Sequence, residues 1–248
     1  AGVLSYKAAM YFWQPKEEAT QAYQEDTVSD NSVKAGMDDV PKNLIFCYKE
    51  DTGEITKVVL EILNPANKQL SYITLPLRTQ LNISVALFRK LVVDCPEIPQ
   101  VMQLGSISKY LDNEKAYEDG VLMVEELLGM DISYYTAIPQ STFNTIFTDK
   151  YIEQADQYDS VAMVIFMQDY RATLQSLDSE EKLRSYLDDI YPTLKSNLDL
   201  EDKLSYVKGY YEAYSNDVSF DLIKGNNINS AYIIDLELAA QQLTELTR

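Results

Sequence analysis

The stretch that decides the fold is residues 43–79, NLIFCYKEDTGEITKVVLEILNPANKQLSYITLPLRT. It holds three short runs of apolar and β-branched residues, each with the length and composition of a β-strand: 43–48, 57–63 and 70–75. Between the last two runs lies Asn64-Pro65-Ala66-Asn67, whose residues favour tight turns. The sequence therefore predicts an antiparallel hairpin, followed by the loop Leu75-Pro76-Leu77-Arg78-Thr79.

Further along the chain, helical and strand-like patterns alternate. Apolar residues at intervals of three and four predict helices over 85–92, 113–128, 160–177, 179–190 and 199–214, and a last helix from Asp235. More strands are predicted over 132–138, 218–223 and 231–235, the last two around a turn at Gly225-Asn226-Asn227. Interleaved strands and helices predict an α/β fold in which helices cover both faces of a mixed central β-sheet, an αβα sandwich.

The length of 248 residues suits one large domain. We expect residues 1–42 to form a surface lead-in, partly ordered. Its part from about Lys16 to Lys42 is polar and acidic, and an apolar patch at Met10–Trp13 precedes that part and is expected to dock. Residues 43–248 are then expected to form a single α/β domain, in which we find no internal repeat.

Composition excludes several classes of function. The chain has no histidine, which removes the commonest general base, the Ser-His-Asp and Cys-His nucleophile systems and imidazole metal sites. Its 39 acidic residues against 21 basic ones give a net charge of -18. Because nonspecific nucleic-acid binding depends on neutralising phosphates, no nucleic-acid partner is expected.

Cysteine and hydropathy patterns add little. Cys47 lies in an apolar run and Cys95 precedes Pro96, a spacing that matches neither a metal site nor a disulfide framework, so Cys47 is expected to be a small core residue. No apolar run reaches the roughly 18 residues that span a bilayer. The sequence begins at Ala1 rather than Met, so a membrane anchor could precede it.

Several segments resemble the LytR-CpsA-Psr family, extracytoplasmic domains that attach lipid-carried anionic glycopolymers to the Gram-positive cell wall. The similar segments are 43–46, 57–76, 124–138 and 194–210, and with their order and spacing they account for most of residues 43–246. The resemblance implies that family's αβα fold, a place at the extracytoplasmic face of the cell membrane, and a polyprenyl-pyrophosphate ligand. In the family, arginines and an aspartate-bound magnesium ion hold the head group, and an apolar channel holds the lipid tail.

The chain departs from the family pattern at the residues expected to bind phosphate. Tyr48-Lys49-Glu50 replaces a glycine-x-aspartate turn, and Thr56-Lys57 replaces an aspartate-threonine pair. In the proline loop, Leu77 stands where the arginine is expected and Arg78 where the aspartate is expected, while Thr79 matches. Met167-Gln168-Asp169 lacks the arginine of an arginine-glutamine-glutamine element, and the link 147–160 is much shorter than in the family.

What the resemblance implies about site residues is therefore a reduced set. Arg78 and Glu50 are the candidates for a catalytic role, and Glu50 with Asp51 could hold magnesium if the chain is active. Head-group binding falls to Arg78, Thr79, Arg89, Lys90 and Arg171. The alternative for each is an ordinary solvated side chain. The same choice applies to the tyrosines, of which Tyr206, Tyr210 and Tyr214 share one helical face and are either a ligand groove or simple packing.

Three hypotheses follow. The first is a non-catalytic cell-envelope domain that binds a polyprenyl-linked or glycan ligand or an envelope partner. The second is an active magnesium-dependent phosphotransferase with relocated ligands, which predicts that two of Arg78, Arg89 and Arg171 converge on a pocket containing Glu50 or Asp51. The third is a structural docking domain with an exposed apolar patch, around Trp13.

Overall fold

The computed structural model describes residues 34–154, 161–168 and 176–248. Twelve strands lie in these residues: β1 Lys42–Tyr48, β2 Ile55–Asn64, β3 Gln69–Leu75, β4 Gln80–Asn82, β5 Val101–Gln103, β6 Tyr134–Pro139, β7 Phe147–Gln154, β8 Val161–Gln168, β9 Lys195–Ser196, β10 Asp217–Leu222, β11 Gly225–Ile228 and β12 Ala231–Ile234. The predictions made for Met10–Trp13 and for Arg171 concern residues outside the described ranges.

Eight α-helices lie in the described ranges: α1 Val85–Asp94, α2 Ile107–Tyr110, α3 Asn113–Leu128, α4 Gln140–Ile146, α5 Glu180–Ile190, α6 Leu200–Ser205, α7 Val207–Tyr214 and α8 Leu236–Thr247. Short 3-10 turns at Leu104–Ser106 and Tyr191–Thr193 join some of them. None of the described helices is long and apolar enough to cross a membrane.

The central sheet has six strands in the order β10-β3-β2-β1-β6-β9. Strands β2 and β3 pair antiparallel, from Val58 opposite Leu75 to Asn64 opposite Gln69, which confirms the predicted hairpin. Strand β1 pairs antiparallel with β2 and parallel with β6, and β10 joins β3 in parallel, so the sheet is mixed as expected.

Each face of the sheet buries its own hydrophobic core. On one face, apolar residues such as Leu44, Phe46 and Leu60 pack against α1, α3 and α8. On the other, Ile45, Val59 and the fully buried Cys47 pack against α4, α5, α7 and the hairpin β7–β8. Successive side chains along a strand point to opposite faces of the sheet. Because both faces are covered here, both sets of side chains are buried, which explains the nearly continuous apolar runs in the sequence.

Local signals set several helix ends where the sequence places them. The side chains of Ser84, Ser179, Asp199 and Asp235 each accept a hydrogen bond from a first-turn backbone N–H of the helix that follows. Helix α3 ends at Gly129, whose φ of 62° is the left-handed conformation that closes helices. The helix predictions over 113–128 and 179–190 are confirmed within a residue.

Three predictions about elements are wrong. The region predicted as a helix over 160–177 contains strand β8, which pairs antiparallel with β7 from Phe147 opposite Gln168 to Gln154 opposite Val161. The helix predicted over 199–214 is two helices that meet at Tyr206. The turn predicted at 225–227 is strand β11; it pairs with β12, and Asn229, with a φ of 54°, lies in the turn between them.

The segment just before β1 lies against the domain. The backbone N–H of Gly36 donates to the carbonyl of Ser133 at 2.8 Å, and the hydroxyl of Tyr206 bonds to the carbonyl of Asp38 at 3.2 Å. The end of the predicted lead-in is therefore held by strand β6 and by the junction between α6 and α7.

Candidate ligand-binding site

A row of polar side chains crosses the centre of the sheet. Tyr72 of β3 lies opposite Glu61 of β2, Glu61 opposite Asn43 of β1, and Asn43 opposite Tyr134 of β6. Opposed residues of neighbouring strands point to the same face, which here is the face covered by α5 and α7. The sheet therefore presents four adjacent polar groups to the interior of the α5–α7 layer.

Lys203 of α6 completes this row from the helical layer. Its ammonium group donates to the hydroxyl of Tyr134 at 2.8 Å and to that of Tyr210 at 2.7 Å, and it lies 3.7 Å from Oε1 of Glu61. Tyr210 donates to the same Glu61 oxygen at 2.6 Å, and Nδ2 of Asn43 donates to it at 3.1 Å. Lys203 and Glu61 are 7 % and 6 % exposed, so this is a buried ion pair within a hydrogen-bonded network.

Burial shifts the titration of the network. Desolvation lowers the pKa of Lys203, although Glu61 opposes that shift. Desolvation also raises the pKa of Tyr134, Tyr210 and Tyr72 well above the usual value for a phenol, and the Glu61 carboxylate adds to each shift. The phenols are therefore held protonated, as hydrogen-bond donors, throughout the physiological pH range.

Beside the network is a narrow cleft of about 90 Å³, which we call the interior cleft. Its floor includes Asn43, Glu61 and Thr136 of the sheet; its walls include Leu187 of α5 and Tyr214 of α7. Three polar atoms of lining residues are buried and have no hydrogen-bond partner within the described residues: Oδ1 of Asn43, Oγ1 of Thr136 and Oε1 of Gln168. Unpaired buried polar atoms are rare in folded proteins, so these three atoms make the cleft a candidate binding site for a polar ligand.

A second and larger cleft, of about 320 Å³, lies where the predicted proline loop leaves β3; we call it the Arg78 cleft. Lys57, Arg78 and Asp149 are among the residues that line it. Arg78 donates from Nη2 to the side chain of Asn227 at 3.0 Å, and within the described ranges it forms no ion pair. The guanidinium therefore remains a source of positive charge beside this cleft.

Lys57 lines the same cleft in a different environment. Its ammonium lies 5.7 Å and 5.3 Å from the ring centroids of Phe143 and Phe166, and 3.9 Å from Oδ2 of Asp149. The balance of charged side chains lining the Arg78 cleft is two basic residues against one acidic residue. In a chain with a net charge of -18, that local balance suits an anion.

A cluster of aromatic rings separates the two clefts. Phe143 lies 4.7 Å from Phe147 and 5.3 Å from Phe166, measured between ring centroids, and Tyr72 lies 5.4 Å from Phe147. Phe147 lines the interior cleft and Phe166 lines the Arg78 cleft, and the two sets of lining residues have no member in common. The clefts are therefore adjacent, with these rings between them.

The structure brings only part of the predicted site together. Arg78 lines the Arg78 cleft together with Thr56 and Lys57. Thr79 is fully buried, with its hydroxyl unpaired within the described residues, and it does not line that cleft. Arg89 and Lys90 are exposed on α1 and line neither the interior cleft nor the Arg78 cleft.

The predicted metal ligands are placed elsewhere. Glu50 accepts hydrogen bonds from the backbone N–H of Ser141, at 3.0 Å, and from its hydroxyl, and these bonds lower the pKa of Glu50. It thus caps the start of α4 rather than facing Arg78, and Asp51 is exposed in the adjoining turn. Within the described ranges, no group of three or more acidic or cysteine side chains is placed to hold a metal ion.

The tyrosine stripe has a mixed outcome. Tyr210 and Tyr214 both line the interior cleft, and Tyr210 belongs to its polar network, whereas Tyr206 bonds to the backbone at Asp38. Sequence reasoning missed Glu61, Lys203, Lys57 and Asp149. A signal for Glu61 exists in the sequence, since it interrupts the apolar run VVLEIL, and a charge in the middle of a buried strand calls for a partner.

Scans of the sequence against family models and against curated proteins give no match. Solved structures do match over nearly the whole chain. B. subtilis TagV is 13% identical with a TM-score of 0.54, and the match covers 86% of this chain and 98% of TagV. A putative transcription regulator from Eubacterium siraeum is 14% identical with a TM-score of 0.54, and the match covers 92% of this chain and 99% of that protein. TagT bound to LI-WTA is 14% identical with a TM-score of 0.51, covering 92% and 98%.

The chain has the LytR-CpsA-Psr fold. The fold predicted from the resemblance is confirmed, and the low identities fit a divergent sequence. At these identities the likeness concerns the fold alone.

Proposed function

We propose that this chain is a non-catalytic cell-envelope domain that uses a LytR-CpsA-Psr fold to bind, rather than transfer, a polyprenyl-linked anionic ligand. The observation that carries the proposal is the Arg78 cleft, where Arg78 and Lys57 supply positive charge and Asp149 is the lining carboxylate. A guanidinium and an ammonium can hold a phosphate or pyrophosphate by charge-assisted hydrogen bonds.

Two features support binding without transfer. The predicted metal ligand Glu50 is engaged with Ser141 at the start of α4. Arg89 is exposed on α1 and does not reach the Arg78 cleft, so the second arginine that the active-enzyme hypothesis calls for is not supplied from the described part of the chain. Phosphoryl transfer relies on several positive groups that act together on the developing charge, and a single arginine gives little of that stabilisation.

The location and the ligand class in this proposal come from the fold and its neighbours. TagT, with the same fold, was solved bound to LI-WTA. By analogy we assign this chain to the extracytoplasmic face of the cell membrane and its ligand to the lipid-linked anionic class. No dependence on magnesium is proposed.

One residue favours a second candidate function. Asp149 lines the Arg78 cleft and lies near Lys57, so a carboxylate and two cations surround the same space. An active magnesium-dependent phosphotransferase attaching lipid-linked anionic glycopolymers to peptidoglycan would use Asp149 as a relocated metal ligand or base. That function predicts turnover that is lost in Asp149→Asn.

The deciding experiment is calorimetric binding of a short-chain polyprenyl pyrophosphate to the full chain, with and without magnesium. We expect Arg78→Ala to weaken binding about tenfold, the loss typical of one charge-assisted hydrogen bond, in both conditions. Arg89→Ala removes an exposed arginine away from the cleft and is the matched control. Binding that requires magnesium, together with turnover of a lipid-linked glycopolymer, would replace this proposal with the enzyme; binding indifferent to Arg78 would remove the Arg78 cleft as the site.

A further inference from the structure

We propose that the edge of the central sheet at β10 binds an extended, basic peptide segment of a partner protein as an additional strand. Beside this edge, between β10 and α8, lies a groove of about 460 Å³, which we call the edge groove. None of its lining residues lines the interior cleft or the Arg78 cleft, and the inference goes beyond the proposed function. Addition of a strand to an exposed sheet edge is a common mode of peptide recognition.

The backbone of β10 presents hydrogen-bonding groups along this edge. Strand β10 is the outermost strand of the six-stranded sheet, and among the described residues it pairs with β3 alone. The N–H of Ile223 donates to the carbonyl of Thr74 of β3. Because successive residues of a strand direct their N–H and C=O groups to opposite sides, those of Val218, Phe220 and Leu222 point away from β3. An unpaired row of this kind is a template for another strand.

At one end of the edge, a side chain of α8 already takes the position of a neighbouring strand. Nε2 of Gln242 donates to the carbonyl of Leu222 at 3.0 Å, and its Oε1 accepts from the N–H of Lys224 at 3.1 Å. The edge is therefore closed from Leu222 onward. Within the described residues, the open part consists of the N–H and C=O groups of Val218 and Phe220, which suits a short strand.

The edge groove can receive side chains of the added strand on the α8 face of the sheet. Asp221 lies opposite Ile73 of β3, whose side chain belongs to the core that packs against α8. Because side chains two residues apart share a face, Ser219 faces α8 as well. Leu238 of α8, 49% exposed, is an apolar wall of the groove. The small side chain of Ser219 leaves space there for an apolar side chain of the partner.

The charges around the edge favour a basic strand. Asp217, at the start of β10, and Glu245, which lines the groove from α8, are exposed and form no ion pair within the described ranges. Asp221 pairs with Lys224 at 3.2 Å, so the charged residues that line the groove are two acids and one base. In an added antiparallel strand, the residues opposite Asp217 and Asp221 lie on the same face as these carboxylates, where a Lys or Arg would form cross-strand pairs.

The same charges disfavour a second copy of this chain as the occupant. Antiparallel pairing of β10 with itself, centred on Ser219, places Asp217 opposite the Asp221 of the other copy. Like charges directly opposite one another destabilise a sheet, and the net charge of -18 adds repulsion between copies. The partner segment is therefore a strand with a basic residue at each end of a central apolar residue, at every second position, and the apolar residue lies opposite Ser219.

The test is an NMR titration of the isotope-labelled full chain with the heptapeptide TKTITKT, blocked at both ends. Its lysines and isoleucine share one face of a strand. We expect saturable shifts centred on β10 and α8, with slower hydrogen exchange at the amides of Val218 and Phe220, to which the peptide would bond. Shifts that saturate elsewhere, or no saturation, would overturn the proposal.

Two altered peptides separate charge from backbone pairing. TETITET reverses the charges, and TKTITKT N-methylated at the two threonines beside isoleucine loses the N–H groups that would donate to the carbonyls of Val218 and Phe220. We expect each to bind at least about tenfold more weakly than TKTITKT, through charge repulsion in the first and loss of two hydrogen bonds in the second. Equal binding of all three peptides would contradict addition of a basic strand.

Two pairs of variants on α8 make the test specific. Glu245→Lys reverses a charge that lines the groove and should weaken TKTITKT about fivefold, whereas Glu237→Lys makes the same change on an exposed part of α8 outside the groove and should alter the affinity less than about twofold. Leu238→Ala removes the apolar wall and should weaken binding about threefold; Leu236→Ala, exposed outside the groove, should leave it unchanged. Equal effects within either pair would contradict the assignment.

A backbone variant tests the edge itself. Val218→Pro removes an N–H that points away from β3, a position at which an edge strand tolerates proline. We expect native circular dichroism and binding of TKTITKT weakened at least about tenfold; unchanged binding would overturn the proposal. If this variant fails to fold, the N-methylated peptide tests the same bonds from the other side. A dimer of the free chain that Val218→Pro dissociates in sedimentation would assign the edge to a second copy instead.

Discussion

The ammonium nitrogen of Lys203 lies 3.7 Å from a carboxylate oxygen of Glu61, and both side chains are more than nine-tenths buried. The first comes from a helix near the C-terminal end of the chain and the second from the middle of β2. Tyr210 bridges them, accepting from Lys203 and donating to Glu61. This pair therefore fixes how the helical layer of α6 and α7 sits on the central sheet.

Replacing Lys203 alone should lower the stability of the folded protein. Lys203→Met keeps the length of the side chain and leaves Glu61 as an uncompensated buried charge, a change that typically costs about 3–5 kcal/mol. We expect that loss in the free energy of unfolding by urea at neutral pH. Lys208→Met is the control, because Lys208 is 73% exposed in its pair with Glu212 and surface pairs contribute about 1 kcal/mol or less. A loss below about 1 kcal/mol for Lys203→Met would contradict the network.

Removing both charges should lower the free energy of unfolding less than removing one of them. In Lys203→Met with Glu61→Leu, the desolvation cost of both ions disappears, and apolar side chains of similar size occupy the same interior. We expect the double variant to unfold at higher urea concentration than Lys203→Met alone, which a double-mutant cycle measures directly. Additive losses from the two single changes would show that the two residues do not act on each other.

Alkaline pH should unfold the protein through its buried phenols. Tyr72, Tyr134 and Tyr210 have pKa values well above 10, so above that pH the native state keeps protons that the unfolded chain releases. Stability is then fully present below pH 10 and falls as pH rises beyond it. The lowered pKa of Lys203 acts in the opposite direction, but it is one group against three.

The measurement is phenolate absorbance recorded together with circular dichroism during an alkaline titration. We expect part of the phenolate signal to appear only with loss of secondary structure, in a single transition. Full ionisation of the tyrosines while the dichroism stays native would contradict the buried positions of these three rings.

Asp119 should destabilise the protein at neutral pH. This residue of α3 is 2 % exposed, one of its oxygens has no partner within the described structure, and desolvation raises its pKa to about 6. Lys115 partly opposes the shift, while Asp94 and Glu118 add to it. Between about pH 4 and 6 the native state holds a proton that the unfolded chain has lost, so this contribution to stability falls as pH rises through that window.

The substitution Asp119→Asn removes the charge and keeps the shape. We expect it to raise the free energy of unfolding by about 1–3 kcal/mol at pH 7, and the gain to vanish near pH 3, where both states carry a neutral carboxyl. Urea unfolding at the two pH values gives the comparison, with the exposed Glu114→Gln on the same helix as the control. A gain that does not depend on pH would rule out this mechanism.

The element ends that sequence predicts correctly are those with a local signal nearby. The Asn64–Asn67 turn, the αL conformation at Gly129 and the caps at Ser179 and Asp199 lie within a few residues of the elements they delimit. Strand β8 has no such signal: VAMVIFMQ is a continuous apolar run that fits either a helix or a buried strand. Its pairing with β7 decides the outcome, and pairing is not visible in a single segment.

The candidate sites were less predictable for a similar reason. Arg78 is predicted from the proline loop, and the pairing of β2 with β3 then brings Lys57 into the same cleft, which no local signal at Lys57 predicts. Asn43, Glu61 and Tyr134 form one row only once the register of two strand pairs is known, and Lys203 reaches that row from a helix distant in sequence. A register shift of one residue would turn each of these side chains to the other face, so no local pattern could have assembled the interior cleft.

The close packing of β11 against β12 gives a last prediction, at Gly225. A Cβ atom added there would lie 2.5 Å from the carbonyl oxygen of Ile233 and 2.8 Å from the ring of Tyr232, which is fully buried. Gly225→Ala must therefore displace backbone in a paired strand, and overpacking of this kind costs about 1–3 kcal/mol. Gly36→Ala, where nothing lies within 4 Å, should change the free energy of unfolding by less than about 0.5 kcal/mol. Equal unfolding midpoints for the two variants in urea would show that the hairpin accommodates the added methyl group without losing stability. That result would contradict the close packing described here.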